Sequence, residues 1–153
     1  GKRAISRPAS DGSDVEALAL YITSRSNGMK VNVSLVHPKE VETFKAGEYL
    51  FYRRAGQTDF ACTQCHGEGG KRIRLQDLWN INDPKHIGEV ASTWPAYRGA
   101  HLVVRTMQWR LYDCFWQMRL PELKYGSDTS IALSTYLQVR GNGAVIQVPG
   151  FKR

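Results

Sequence analysis

The sequence has 153 residues, 42% hydrophobic and 23% charged, which is enough for one ordinary domain with a real core and room for an appendage. Its apolar runs are far too short to cross a bilayer, so a soluble protein with no membrane span is expected. The net charge of +7 is scattered and no nucleic-acid-binding motif accompanies it, which points to acidic protein partners or small anionic substrates and not to nucleic acid.

Residues 1–12 are polar and turn-rich and read as a loose lead-in; residue 1 does not look like the start of a signal peptide, so a mature or trimmed product is expected. Ser13-Asp14-Val15-Glu16 has the form of a capping box. Val15, Leu18, Ala19 and Ile22 then share one helical face, and Asn27-Gly28 stops the helix. A linker over 29–39 contains His37-Pro38. The next helix is predicted over Glu40–Arg54, with Val41, Phe44, Leu50 and Phe51 as its apolar residues. Gly47, four residues before Phe51, would let another helix approach closely beside an aromatic ring.

From Gly67 to Gly99 loop and short helical pieces are expected, because Gly67, Gly69, Gly70, Asp83-Pro84 and Trp94-Pro95 break anything longer. Trp79 and Trp94 read as ordinary core, with packing on a cofactor edge as the alternative. Ala100–Met118 is predicted as a third helix with Val103, Met107, Arg110, Cys114 and Met118 on one stripe, ended by Pro121. A last helix runs over Ser127–Arg140 and stops at Asn142-Gly143 before an extended tail.

Part of the first helix returns in the last. Gly12-Ser13-Asp14 matches Gly126-Ser127-Asp128, and after a one-residue slip Ala17, Leu18, Tyr21, Arg25, Asn27 and Gly28 match Ala132, Leu133, Tyr136, Arg140, Asn142 and Gly143. A duplicated domain accounts for this, with one full copy at 40–153 and the terminal helix of a preceding copy within 1–28.

Between the second helix and the glycine-rich stretch stands Cys62-Thr63-Gln64-Cys65-His66. Cys-x-x-Cys-His is the attachment signature of a c-type haem: two thiols reach the vinyl groups, and the next residue sets an imidazole under the iron. A structural zinc site would need a second ligand pair, and a thioredoxin-like dithiol would need a βαβ context; the sequence offers neither plainly. One covalent haem c, held by Cys62 and Cys65 with His66 as proximal ligand, is therefore expected. Covalent haem implies export, and the bacterial periplasm is inferred from that chemistry.

With three cysteines in all, Cys114 is left over. Candidates for the opposite iron ligand are Met107, Met118, His86, His101 and Cys114. Arg110, one turn before Cys114, favours the thiolate form that binds iron and attacks sulfur. The alternative is that Arg110 holds a haem propionate or a carboxylate, with Met107 or Met118 on the iron and Cys114 as packing.

The haem motif, Trp94-Pro95-Ala96-Tyr97-Arg98 and Arg110-Leu111-Tyr112-Asp113-Cys114 with Arg119 together resemble the SoxA subunit of the SoxAX cytochromes of bacterial thiosulfate oxidation, over about residues 13–150. The resemblance implies an all-α, class I cytochrome c-like haem domain preceded by the last helix of a second such domain. It implies oxidative transfer of thiosulfate onto a cysteine of the SoxYZ carrier, releasing two electrons to a downstream c-type cytochrome. SoxX is the implied haem partner subunit. Cys62 and Cys65 would hold the haem, His66 and Cys114 would ligate iron, Cys114 would be the active-site sulfur able to carry a persulfide, and Arg110 would bind the anionic substrate. An electron-transfer cytochrome and a tetrathionate-forming thiosulfate dehydrogenase are the competing readings.

Overall fold

The computed structural model describes residues 13–73 and 75–152. Its core is the crossing of α2 (Pro38–Tyr52) and α6 (Asp128–Arg140). Both helices begin on side-chain caps. The His37 ring accepts the Lys39 N–H at 3.1 Å, Glu40 Oε2 accepts the His37 N–H at 2.9 Å, and Pro38 occupies the first turn, where no N–H is missed. The Ser127 hydroxyl accepts the Ser130 N–H at 3.4 Å. At the crossing, Gly47 lies so close to the Ala132 carbonyl that no side chain fits between them. The Phe44 and Phe51 rings each lie 5.4 Å from the Tyr136 ring, so the close approach beside an aromatic that Gly47 predicts is present.

The expectation of an all-α chain needs correction, because two small sheets accompany the helices. Strands β1 (Arg72–Ile73) and β2 (Gln76–Asp77) form an antiparallel pair. Strand β3 (Ala96–Arg98) is the centre of a second sheet, antiparallel to β4 (Val103–Arg105) and parallel to β5 (Gly150–Lys152). The predicted helix over Ala100–Met118 is consequently shorter. Leu102, at a φ of 57°, turns the chain between β3 and β4, and α5 spans only Met107–Gln117 after a Thr106 cap. The β-branched pair Val103-Val104 prefers the pleated neighbour that β3 supplies, and this tertiary pairing outweighs the helical spacing.

Asp83-Pro84 starts one of the short helical pieces expected between Gly67 and Gly99. The Asp83 carboxylate accepts the Lys85 and His86 N–H groups at 2.9 and 3.1 Å, and α4 (Pro84–Ser92) follows. It packs on the end of α6, where a Cβ on Gly141 would collide with the Ala91 side chain.

Helix α1 (Ser13–Ser24) turns the face opposite to the expected one toward the rest of the chain. Val15, Leu18 and Ile22 are 71%, 57% and 59% exposed, whereas Glu16 is buried and pairs with Arg105 of β4 at 2.9 Å. Arg105 in turn lies over the Trp109 ring at 5.1 Å. The lead-in over 1–12, with Gly12 of the repeated cap, lies outside the described residues. The stretch 29–39, expected as a linker, is docked where it begins: the Val31 N–H donates to the Ala144 carbonyl at 2.8 Å, and the Asn142 side chain brackets the Val33 backbone.

Candidate functional site

A short hairpin-like turn delivers the chain from α2 to the Cys-x-x-Cys-His motif. Ala55 and Phe60 pair across it, Arg54 and Asp59 form an ion pair at 2.8 Å, and Gly56 supplies a φ of 76°. The motif itself is helix α3 (Cys62–His66). Gln64 folds back so that its side-chain oxygen accepts the Ala61 N–H at 2.7 Å, and the Gly67 N–H closes the other end on the Thr63 carbonyl at 2.7 Å. One helical turn thus fixes both thiols and the imidazole together. His66 Nδ1 lies 2.9 Å from the Trp79 carbonyl, which can only accept, so Nδ1 carries the proton and Nε2 keeps the lone pair a metal needs.

All three motif side chains line a cavity of about 790 Å³, within the range typical of cofactor sites. Phe51, Leu133 and Leu137 from the α2–α6 crossing form an apolar part of its wall, and Arg110 and Cys114 from α5 open into it. Met107 and Met118 line it as well. His86 and His101 do not: His86 packs edge-on against Trp79 and accepts the Asn80 N–H through Nδ1, and His101 packs edge-on against Trp109. The candidates for the opposite ligand therefore narrow to Cys114, Met107 and Met118.

Electrostatics in the cavity follow first from burial. Burial, with the nearby Cys114 adding to it, pushes the Cys62 thiol up to about 12. Burial and Cys114 raise Cys65 too, against the opposing pull of Lys71 and Arg110. Burial lowers His66, the Trp79 bond resists and Arg110 reinforces the fall, so the ring is held neutral, as a ligand must be. Arg110 Nη1 also donates to Asp113 at 3.0 Å, and Gln117 shares that carboxylate at 2.7 Å. The carboxylate-holding alternative for Arg110 is thus realised in part, on a side chain that still reaches the cavity.

Several cavity residues went unassigned in the sequence. Trp79 and Trp94, read as ordinary core, both line it. Arg98 and Lys152, neighbours in register on β3 and β5, line it too. Arg98 stands in the Trp94–Arg98 run that carries part of the family resemblance, but Lys152 has no local signal, because its place depends on a strand pairing that joins residues far apart in the chain.

The donor set fits a c-type haem: two thiols and a neutral imidazole on one turn, facing a large and mostly apolar chamber. Among the described residues no cluster of three or more His, Cys, Asp or Glu is placed to hold a bare metal ion, so the zinc alternative has no ligand cage.

No family model matches the chain. Among curated proteins it is 47% identical over 141 residues to the L-cysteine S-thiosulfotransferase subunit SoxA of Hydrogenophilus thermoluteolus, covering 91% of this chain and 51% of that one. The same-named subunit of Hydrogenobacter thermophilus is 42% identical over 139 residues, covering 90% and 52%. The crystal structure of SoxXA from P. pantotrophus superposes with a TM-score of 0.76 at 28% identity, over 95% of this chain and 51% of that one. The chain spans about half the length of the curated relatives it matches. Over that half, on sequence and on fold alike, it is similar to the SoxA subunit.

Proposed function

We propose that the chain is a haem-bearing half of a periplasmic L-cysteine S-thiosulfotransferase, which joins thiosulfate oxidatively to a cysteine of the SoxYZ carrier. The observation that carries this reading is the convergence of Arg110 and Cys114 on the cavity that Cys62, Cys65 and His66 line. Cys62 and Cys65 would hold one haem c covalently, with His66 and Cys114 as iron ligands. When bound, the haem supplies an electron acceptor next to the reacting sulfur.

The remaining chemistry belongs to side chains. Thiosulfate is a dianion, and the planar fork of Arg110 suits its sulfonate better than a point charge does. Asp113 and Gln117 hold that fork in place. Cys114, alone or as a persulfide, accepts the sulfane sulfur and so divides one difficult coupling into two steps. Overall the carrier's S–H bond breaks, a sulfur–sulfur bond to the sulfane sulfur forms, and one proton goes to solvent. Two electrons pass to a downstream c-type cytochrome, with SoxX as the partner haem subunit.

The apolar residues that α1 leaves exposed support placing it as the last helix of a preceding cytochrome c-like domain, before a haem domain at 40–153. Cys114→Ala tests the central claim: thiosulfate-dependent conjugation of the carrier should be lost while intact mass shows the haem still attached. Substantial remaining turnover would remove Cys114 from the reaction. Because Met107 and Met118 also reach the cavity, an electron-transfer cytochrome is the second reading. A methionine-to-iron charge-transfer band in the oxidised protein would favour it, and thiolate-type low-spin paramagnetic signals would exclude it.

A further inference from the structure

Two cations face the cavity from the small sheet, and the sulfur chemistry uses neither. Arg98 and Lys152 are direct partners in the parallel pairing of β3 with β5, so their side chains leave the sheet together. Both line the cavity, and Lys152 is only 9% exposed. Among the described residues neither is ion-paired, and Arg98 Nε is buried without a hydrogen-bond partner. The Lys152 ammonium lies 4.6 Å from the centre of the Trp79 ring, whose residue also anchors His66. Burial lowers the pKa of each; Arg110 lowers that of Arg98 further against the pull of Asp113 and Cys114, and Arg98 lowers that of Lys152 against the pull of Glu89. Neighbouring cations drawn partly out of water are unfavourable unless anions balance them; Glu89 and Asp113 act on the pair, and a further anion in the cavity would complete it.

We infer that Arg98 and Lys152 form a clamp for a carboxylate of the prosthetic group, a haem propionate, an inference that rests on the haem reading above. The apolar chamber takes the ring, and the only charged edge of a haem is its pair of propionates. A forked donor beside a compact ammonium offers a carboxylate several charge-assisted hydrogen bonds. The clamp both fixes the rotation of the ring over His66 and holds positive charge near the iron.

The test uses the full-length subunit with its haem partner, comparing Arg98→Met and Lys152→Met with Arg98→Lys and Lys152→Arg. Redox titration followed in the visible spectrum gives the midpoint potential, and resonance Raman gives the propionate bending band. Each methionine variant should lower the potential and shift the band, because a cation near ferric iron is removed; each charge-keeping variant should stay close to the unaltered protein. Haem-loaded methionine variants with unchanged band and potential would overturn the clamp. So would charge-keeping variants as perturbed as the methionine ones, or an altered KM for thiosulfate at unchanged potential, which would make Arg98 a substrate residue. Absence of any haem mass on the unaltered chain would instead sink the haem reading itself.

Discussion

Replacing Gly47 by alanine tests whether the α2–α6 crossing governs the stability of the whole chain. A Cβ built there lies 2.7 Å from both the Ala132 carbonyl carbon and Tyr136 Cβ, and closer still to the Ala132 oxygen. An ordinary carbon–carbon contact is about 3.5 Å, so the two helices must separate by at least roughly 0.8 Å, enough to forfeit about a quarter to a half of each dispersion well along the seam. Overpacking of this kind costs about 1–3 kcal/mol, and the obstacle is backbone, which cannot rotate aside. Against it, alanine is better than glycine inside a helix by about 1 kcal/mol. Taking the upper end of the first figure leaves a net loss of about 2 kcal/mol. For a chain of this size that lowers Tm by roughly 4–8 °C. Calorimetry of the loaded protein measures it. A Tm equal to or above that of the unaltered protein would refute the reasoning, since the helix gain would then outweigh a clash that is not there.

Glu16→Gln leaves Arg105 charged in a site where its side chain is 9% exposed, and such a loss costs about 3–5 kcal/mol. Urea unfolding should show it, and Glu16→Gln with Arg105→Met should recover part of the loss, whereas strictly additive losses would deny the pairing. Arg110→Ala should raise KM for thiosulfate or abolish turnover with the haem spectrum largely unchanged; unaltered kinetics would confine Arg110 to holding Asp113. The backbone N–H of His37 holds the Glu40 carboxyl below its ordinary 4.5, and that of His86 holds Asp83 below 3.8. Folded values below the unfolded ones mean that this stabilisation is complete above the unfolded values and is lost as pH falls through the folded ones. Thermal melts of a Glu40→Gln, Asp83→Asn double variant should therefore depend less on pH in the acid range, and an acid limb as steep as before would exclude the caps as its source.

What the sequence revealed was local. The motif at Cys62–His66, the placement of Arg110 one turn before Cys114, and the two long helices that cross at Gly47 each rest on spacings of five residues or fewer; the helices cross there, and Arg110 and Cys114 both line the cavity. What it concealed depends on distant partners. β4 looks helical until β3 is beside it, and Val103 leaves the stripe of Met107, Arg110 and Cys114 for that reason. Pro84 can end a helix or open one, and the Asp83 cap decides that it opens α4. The stripe of Val15, Leu18 and Ile22 is real as a pattern, but it faces outward, and Glu16, the charged residue between them, makes the buried contact. Lys152 shows the same limit at the site, since strand pairing alone brings it to Arg98.

Because Phe151 and Lys152 wall the chamber, its enclosure depends on the pairing of β5 with β3. Until β5 docks on β3, one side stands open and the thiols of the short helix can be reached from it. A bulky cargo can be loaded before the gate is shut.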